Sequence, residues 1–120
     1  VPRMSESSTH LAIETTDRAV IAIVRSEKVG GREAQILETE LRKAAPTRQW
    51  RMVIDLSDVT LLASMGLGLL VTMHKEASNN GGKVAICGLQ PEIMQLLKVT
   101  HLERVLKIHP DRASALKSVS

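Results

Sequence analysis

Apolar residues along this chain first alternate with polar ones and then run together. From His10 to Thr16, Leu11 and Ile13 alternate with His10, the small Ala12 and Glu14; after Thr16-Asp17-Arg18, the stretch Ala19 to Val24 is almost continuously apolar. This pattern predicts a hairpin whose first strand lies nearer a sheet edge and whose second is buried on both faces. Residues 1–9, polar and rich in serine from Met4 onward, offer nothing to bury and predict a disordered N-terminal tail.

The period then changes. From Arg32 to Ala45, beyond Gly30-Gly31, either Ile36 or Leu37, then Leu41 and Ala44, recur at helical intervals with charged residues between them, until Pro46 ends the segment. This is the signature of an amphipathic surface helix. Met52 to Leu56 reads as a second buried strand. Ser64 to Ser78 reads as a helix with Gly66, Leu69, Leu70, Met73 and Ala77 on one face, stopped by Asn79-Asn80-Gly81-Gly82. Lys83 to Gly88 follows as a third apolar strand. Pro91 suits a first helical position and Glu92 the positive end of that helix, whose inner face would be Ile93, Leu96, Leu97 and Thr100. A strand from Val105 to Ile108 and a helix opened by Pro110-Asp111 and packed through Ala115 and Val119 complete the chain. The order β-β-α-β-α-β-α-β-α predicts a single α/β domain, a mixed sheet covered by about four helices.

Composition narrows the function. A chain of 120 residues, 43% of them hydrophobic, supports one core and is too short for two ordinary domains. Its 16 basic and 13 acidic residues are dispersed, and Trp50 is the sole aromatic, so neither a basic face nor stacking platforms for nucleic acid are in view. The apolar runs are far shorter than the ~20 residues of a membrane-spanning helix, and no apolar leader follows a basic start. The expected setting is the cytoplasm, with no nucleic-acid partner and no membrane insertion. Cys87, the single cysteine, lies within Val84-Ala85-Ile86-Cys87 and reads as a small buried thiol.

Among residues that could carry chemistry, Ser64 stands first. By position it reads as the N-cap of the helix it opens, its oxygen accepting a hydrogen bond from a first-turn N–H. A phosphoryl group there would meet the unsatisfied N–H groups of the helix start, so the same position also suits modification. Gly66, two residues on, disfavours helix by up to ~1 kcal/mol relative to alanine; its missing side chain permits close approach, by a neighbour in the fold or by a partner. Asp55 and Asp58 lack an adjacent third ligand, and His10, His74, His101 and His109 are scattered, so no metal site and no catalytic residue is assigned. Ala63-Ser64-Met65-Gly66 lacks the glycine two residues before the serine that a nucleophile elbow needs, and Gly66-Leu67-Gly68 is too sparse for a dinucleotide loop. No cofactor is expected and the chain does not read as an enzyme.

The stretch Val53-Ile54-Asp55-Leu56-Ser57 through Ala63-Ser64-Met65-Gly66-Leu67 resembles the signature of the STAS domain of bacterial anti-sigma factor antagonists: a strand ending in Asp-Leu-Ser, then a serine, a variable residue, Gly-Leu and a helix. The resemblance runs from about Leu11 to Val119. Leu89 to Leu102 looks like the family's third helix and the turn after it, and Val105 to Leu116 like its last strand and helix. It implies a STAS domain over residues 10–119 and a protein-interaction switch. The chain would bind an anti-sigma factor with serine kinase activity, be released by phosphorylation of Ser64, and be reset by a serine phosphatase. The implied contact residues are Asp55, Ser57, Ala63, Ser64, Met65, Gly66 and Leu67, and a weak homodimer is compatible with the family. The alternative is a non-phosphorylated STAS interaction module of a signalling assembly or transporter complex. Two features depart from the antagonist pattern. Ala63 and Met65 stand where Asp and often Ser flank the serine, and Ser26-Glu27-Lys28-Val29-Gly30-Gly31 replaces a Gly-Glu-Leu-Asp-like turn.

Overall fold

The computed structural model describes residues 3–7 and 10–120, with side chains from residue 10 onward. Strands β2 (Leu11–Thr15) and β3 (Val20–Val24) pair antiparallel, Leu11 opposite Val24 and Thr15 opposite Val20. Their turn closes on itself: the Thr16 hydroxyl oxygen accepts from Ala19 N at 3.0 Å and from Arg18 N at 3.2 Å, substituting for backbone as short polar side chains do in turns. Beyond β3 the sheet becomes parallel, through β5 (Arg51–Asp55) and β7 (Lys83–Cys87) to β8 (Lys107–His109); on the other side β1 (Arg3–Ser7) pairs antiparallel with β2. The order across the sheet is β1-β2-β3-β5-β7-β8.

Alternation assigns the two faces. Val20, Ala22, Met52, Ile54, Val84 and Ile86 point toward helices α1 (Gly31–Ala44), α2 (Ser64–Asn79) and α3 (Pro91–Val99), where Leu37, Leu41, Leu70, Met73, Ile93 and Leu97 meet them. Ile21, Val53, Ala85 and Cys87 point the other way, onto Ala115 and Val119 of α4 (Arg112–Val119). A sheet covered on both faces explains the continuous apolar runs of β3, β5 and β7. The core has no Phe or Tyr and is filled by aliphatic side chains and methionine. Among the described residues no helix is long and apolar enough to cross a membrane.

Several expectations are corrected. Arg3–Ser7, expected within the tail, is an edge strand, and β2, expected near the edge, lies inside it with all but Glu14 buried. An edge strand needs only backbone pairing, which leaves no apolar pattern. The rest of that tail, residues 1, 2, 8 and 9, lies outside the described residues. Two short strands, β4 (Lys28–Val29) and β6 (Leu61–Leu62), form a separate parallel ladder. The last strand begins at Lys107, because Leu102–Arg104 forms a 3-10 turn and leaves Val105 exposed. Thr100, expected inside, is exposed at the end of α3, and α1 gives way at Ala45 to a 3-10 turn, Ala45–Arg48, that carries Pro46.

Candidate functional site

The segment from Asp55 to Leu67 divides into two hydrogen-bonded units. The first is the end of β5. Asp55 is 5% exposed; its Oδ1 accepts from Ser57 N at 2.9 Å and from the Ser57 hydroxyl, and its Oδ2 accepts from Arg112 Nε at 3.1 Å and Nη2 at 2.9 Å. Burial pushes the Asp55 carboxyl up, but the Ser57 hydroxyl, the Ser57 N–H and the Arg112 guanidinium together outweigh it and hold the group below its ordinary value. Gly88 shares this corner. Its φ of +71° suits glycine, and a Cβ there would stand 2.9 Å from Asp55 Oδ1. Gln90 Nε2 donates to Ser57 O at 2.8 Å, fastening the same loop to the start of α3. Asp55 is therefore occupied internally with both oxygens, which makes it a structural tie before it is a contact or a ligand. Among the described residues no three His, Cys, Asp or Glu side chains are grouped to hold a metal ion.

The second unit is the start of α2. Thr60 N and Leu61 N donate to Glu27 O at 2.8 and 3.0 Å, and Ala63 N donates to Val29 O at 2.9 Å, so the β4–β6 ladder carries the chain to the helix. That last bond keeps Ala63 extended, with ψ of 174°, and Ala63 takes the cap position while Ser64 becomes the first helical residue. The expectation that Ser64 caps α2 is thus corrected by one residue. Ser64 is exposed and its hydroxyl makes no hydrogen bond among the described residues. The first N–H groups of α2 consequently have no side-chain acceptor, leaving positive potential beside a free hydroxyl.

The neighbours of Ser64 differ in what they do. Gly66 is buried against the ladder: a Cβ there would stand 2.6 Å from Leu62 Cδ1 and 3.0 Å from Val29 O, so packing within the fold requires the glycine. Leu67 is half-buried on the core. Met65, by contrast, is 53% exposed and lies over the first turn of α1, with Sδ 3.0 Å from the position of a Cβ on Gly31. Leu61, 54% exposed, was absent from the sequence-based set; its signal is the alternation within β6, Leu62 inward and Leu61 outward. The segment Ser26–Gly31, noted only as a departure in sequence, forms one wall of the site. Glu27 and Lys28 are exposed there, and Glu33 Oε1 accepts from Gly30 N at 2.9 Å, a bond that lowers the Glu33 pKa. Ser64 thus sits between two exposed apolar side chains and a short charged edge.

The fold that carries this segment has known counterparts. The family model described as STAS domain matches residues 10–115. The anti-sigma F factor antagonist of Paenibacillus polymyxa is 26% identical over 109 residues, covering 89% of this chain and 93% of that protein. The crystal structure of an anti-sigma factor antagonist from Mycobacterium paratuberculosis superposes with a TM-score of 0.80 at 22% identity, covering 91% of this chain and 92% of that one. The anti-sigma factor antagonist SpoIIAA in its unphosphorylated form superposes with a TM-score of 0.74 at 11% identity, covering 90% and 95%. The predicted sheet with its four helices is the fold these structures share, and since the family model spans nearly the whole chain, this protein belongs to the STAS domain family.

Proposed function

We propose that the chain is an anti-sigma factor antagonist that works as a binding switch and not as an enzyme. The observation that carries this reading is the exposed Ser64 hydroxyl at the first position of α2, unbonded among the described residues and flanked by Leu61 and Met65. Unmodified, this surface buries two apolar side chains against an anti-sigma factor with serine kinase activity. When that kinase transfers the γ-phosphoryl group of ATP, Ser64 Oγ gains the phosphorus, its proton leaves to a base of the kinase, and ADP departs. The modified residue then carries about −1.5 to −2 charges, which the helix start tolerates but an apolar contact does not. A serine phosphatase restores the hydroxyl by hydrolysis. In this role Ala63, Met65 and Leu61 supply contact area and Gly66 holds the helix close to the ladder. Asp55 and Ser57 support the loop from behind.

Two measurements test the reading. Incubated with ATP and the serine kinase that copurifies with it, the protein should gain one phosphate, which mass spectrometry places on Ser64 and which Ser64→Ala abolishes. The phosphorylated form should then no longer coelute with the kinase. Absence of phosphate on Ser64, with undiminished binding of the Ser64→Asp variant, would instead identify a non-phosphorylated interaction module.

A further inference from the structure

The sheet ends in an unguarded strand. Among the described residues β8 pairs with β7 alone and forms the edge opposite β1. This edge lies in an open groove of about 600 Å³ between two helices, with Met94 and Lys98 contributed by α3 and Ser118 by α4. Leu106 and Ile108 give the groove an apolar floor. Lys83, Lys98 and Lys107 stand around it, all exposed, and among the described residues none of the three has an ion-pair partner. Among the described residues the one carboxylate lining the groove, Glu103, faces Arg104 at 4.0 Å. The groove runs along the whole of β8, from Lys83 at the start of β7 to His109 opposite Cys87 at its end. None of its lining residues belongs to α2 or to the segment from Asp55 to Leu67, so the groove is separate from the Ser64 surface.

A free strand edge recognises extended backbone, and alternate side chains of the added strand are read by what flanks the edge. Here the flanking groups are apolar below and cationic around. We propose that the β8 edge groove docks an extended acidic segment of a partner protein, added as a strand beside Lys107–His109. A second copy of this chain is the wrong occupant: two β8 edges brought together would set the lysines of one copy against those of the other, a like-charge arrangement that opposes self-pairing.

The test uses the full chain and a short fluorescein-labelled peptide alternating glutamate and valine, with a lysine–valine peptide as control. Fluorescence anisotropy should show saturable binding of the acidic peptide only. Amide NMR shifts should move along Lys107–His109, and Ser64→Asp should leave the affinity unchanged. Combined Lys83→Glu, Lys98→Glu and Lys107→Glu should weaken binding about tenfold or more; the corresponding Lys→Gln set, checked for folding by circular dichroism, should weaken it less. The proposal is overturned by absent or unsaturable binding, by equal binding of both peptides, or by shifts centred on the Ser64 turn. A dimer in sedimentation that the acidic peptide does not displace would also overturn it, in favour of a second copy.

Discussion

Arg112 closes on Asp55 with two nitrogens, Nε at 3.1 Å and Nη2 at 2.9 Å from Oδ2, and so fastens the start of α4 to the end of β5. The Asp55 side chain is buried while that of Arg112 is 43% exposed and reaches Glu14 at 3.4 Å, so water screens the arginine's side of the pair. What the pair secures is the seating of α4, which covers one face of the sheet through Ala115 and Val119. Asp55→Asn keeps the shape and removes the charge, and should cost about 1.5–3 kcal/mol near neutral pH, as for hydrogen bonds to charged groups.

The same pair predicts a pH dependence. The folded-state pKa of Asp55 lies below its ordinary value, so its stabilisation is complete above the unfolded carboxylate value of about 4 and is lost as pH falls through the lower native value. Glu33 and Asp111, also shifted down by hydrogen bonds, act in the same window. Urea denaturation of wild type and Asp55→Asn across this range isolates the Asp55 share: the gap between them should be widest near neutrality and close in acid. A constant gap would remove the ion pair from the account.

At Gly66, propensity and packing pull in opposite directions. Alanine in the first turn of α2 would gain up to ~1 kcal/mol in helix propensity. Its Cβ, however, would meet Leu62 Cδ1 at 2.6 Å and the fixed carbonyl of Val29 at 3.0 Å. Leu62 can turn aside; the carbonyl is held by Ala63 N. Gly66→Ala should therefore be destabilising by about 1–3 kcal/mol, the range for overpacking, and a thermal melt shifted upward would show that the ladder yields.

What the sequence reveals follows from which forces leave a trace in it. β3, β5 and β7 are covered on both faces and appear as apolar runs, and Pro91 marks the start of α3 because its missing N–H costs nothing there. β1 is held by backbone pairing, and β4 and β6 are two residues each, too short for a period. The tie between Arg112 and Asp55 spans 57 residues and belongs to tertiary structure alone. Ser64 was legible as a helix start, but its displacement from the cap to the first helical position depends on the bond from Ala63 to Val29, and the wall formed by Glu27 and Lys28 depends on the same ladder.

Cys87 tests the depth of the other core. It closes β7 beside Asp55, and burial, reinforced by that carboxylate, pushes its thiol up to about 11. A neutral thiol 1% exposed is a poor nucleophile. Reaction with a disulfide reagent at mildly alkaline pH should follow global unfolding and speed up with urea along the denaturation curve. Rapid labelling of the native protein would mean that α4 lifts from the sheet on its own.

Ser64 offers the most direct separation of stability from binding. As the first helical residue and not the cap, its hydroxyl holds no hydrogen bond among the described residues that alanine would forfeit, so Ser64→Ala should lie within about 0.5 kcal/mol of wild type. Aspartate at the same place faces the positive end of α2 and should add about 0.3–1 kcal/mol at low salt, fading as salt rises. Binding should run the other way. Alanine keeps the surface between Leu61 and Met65 uncharged and should bind the partner as wild type does, whereas aspartate brings a charge that the contact must desolvate. Urea denaturation and titration calorimetry on the three proteins read both quantities. Loss of binding in the aspartate variant without loss of stability assigns Ser64 to the switch; a loss of about 1–2 kcal/mol in the alanine variant would return it to the cap.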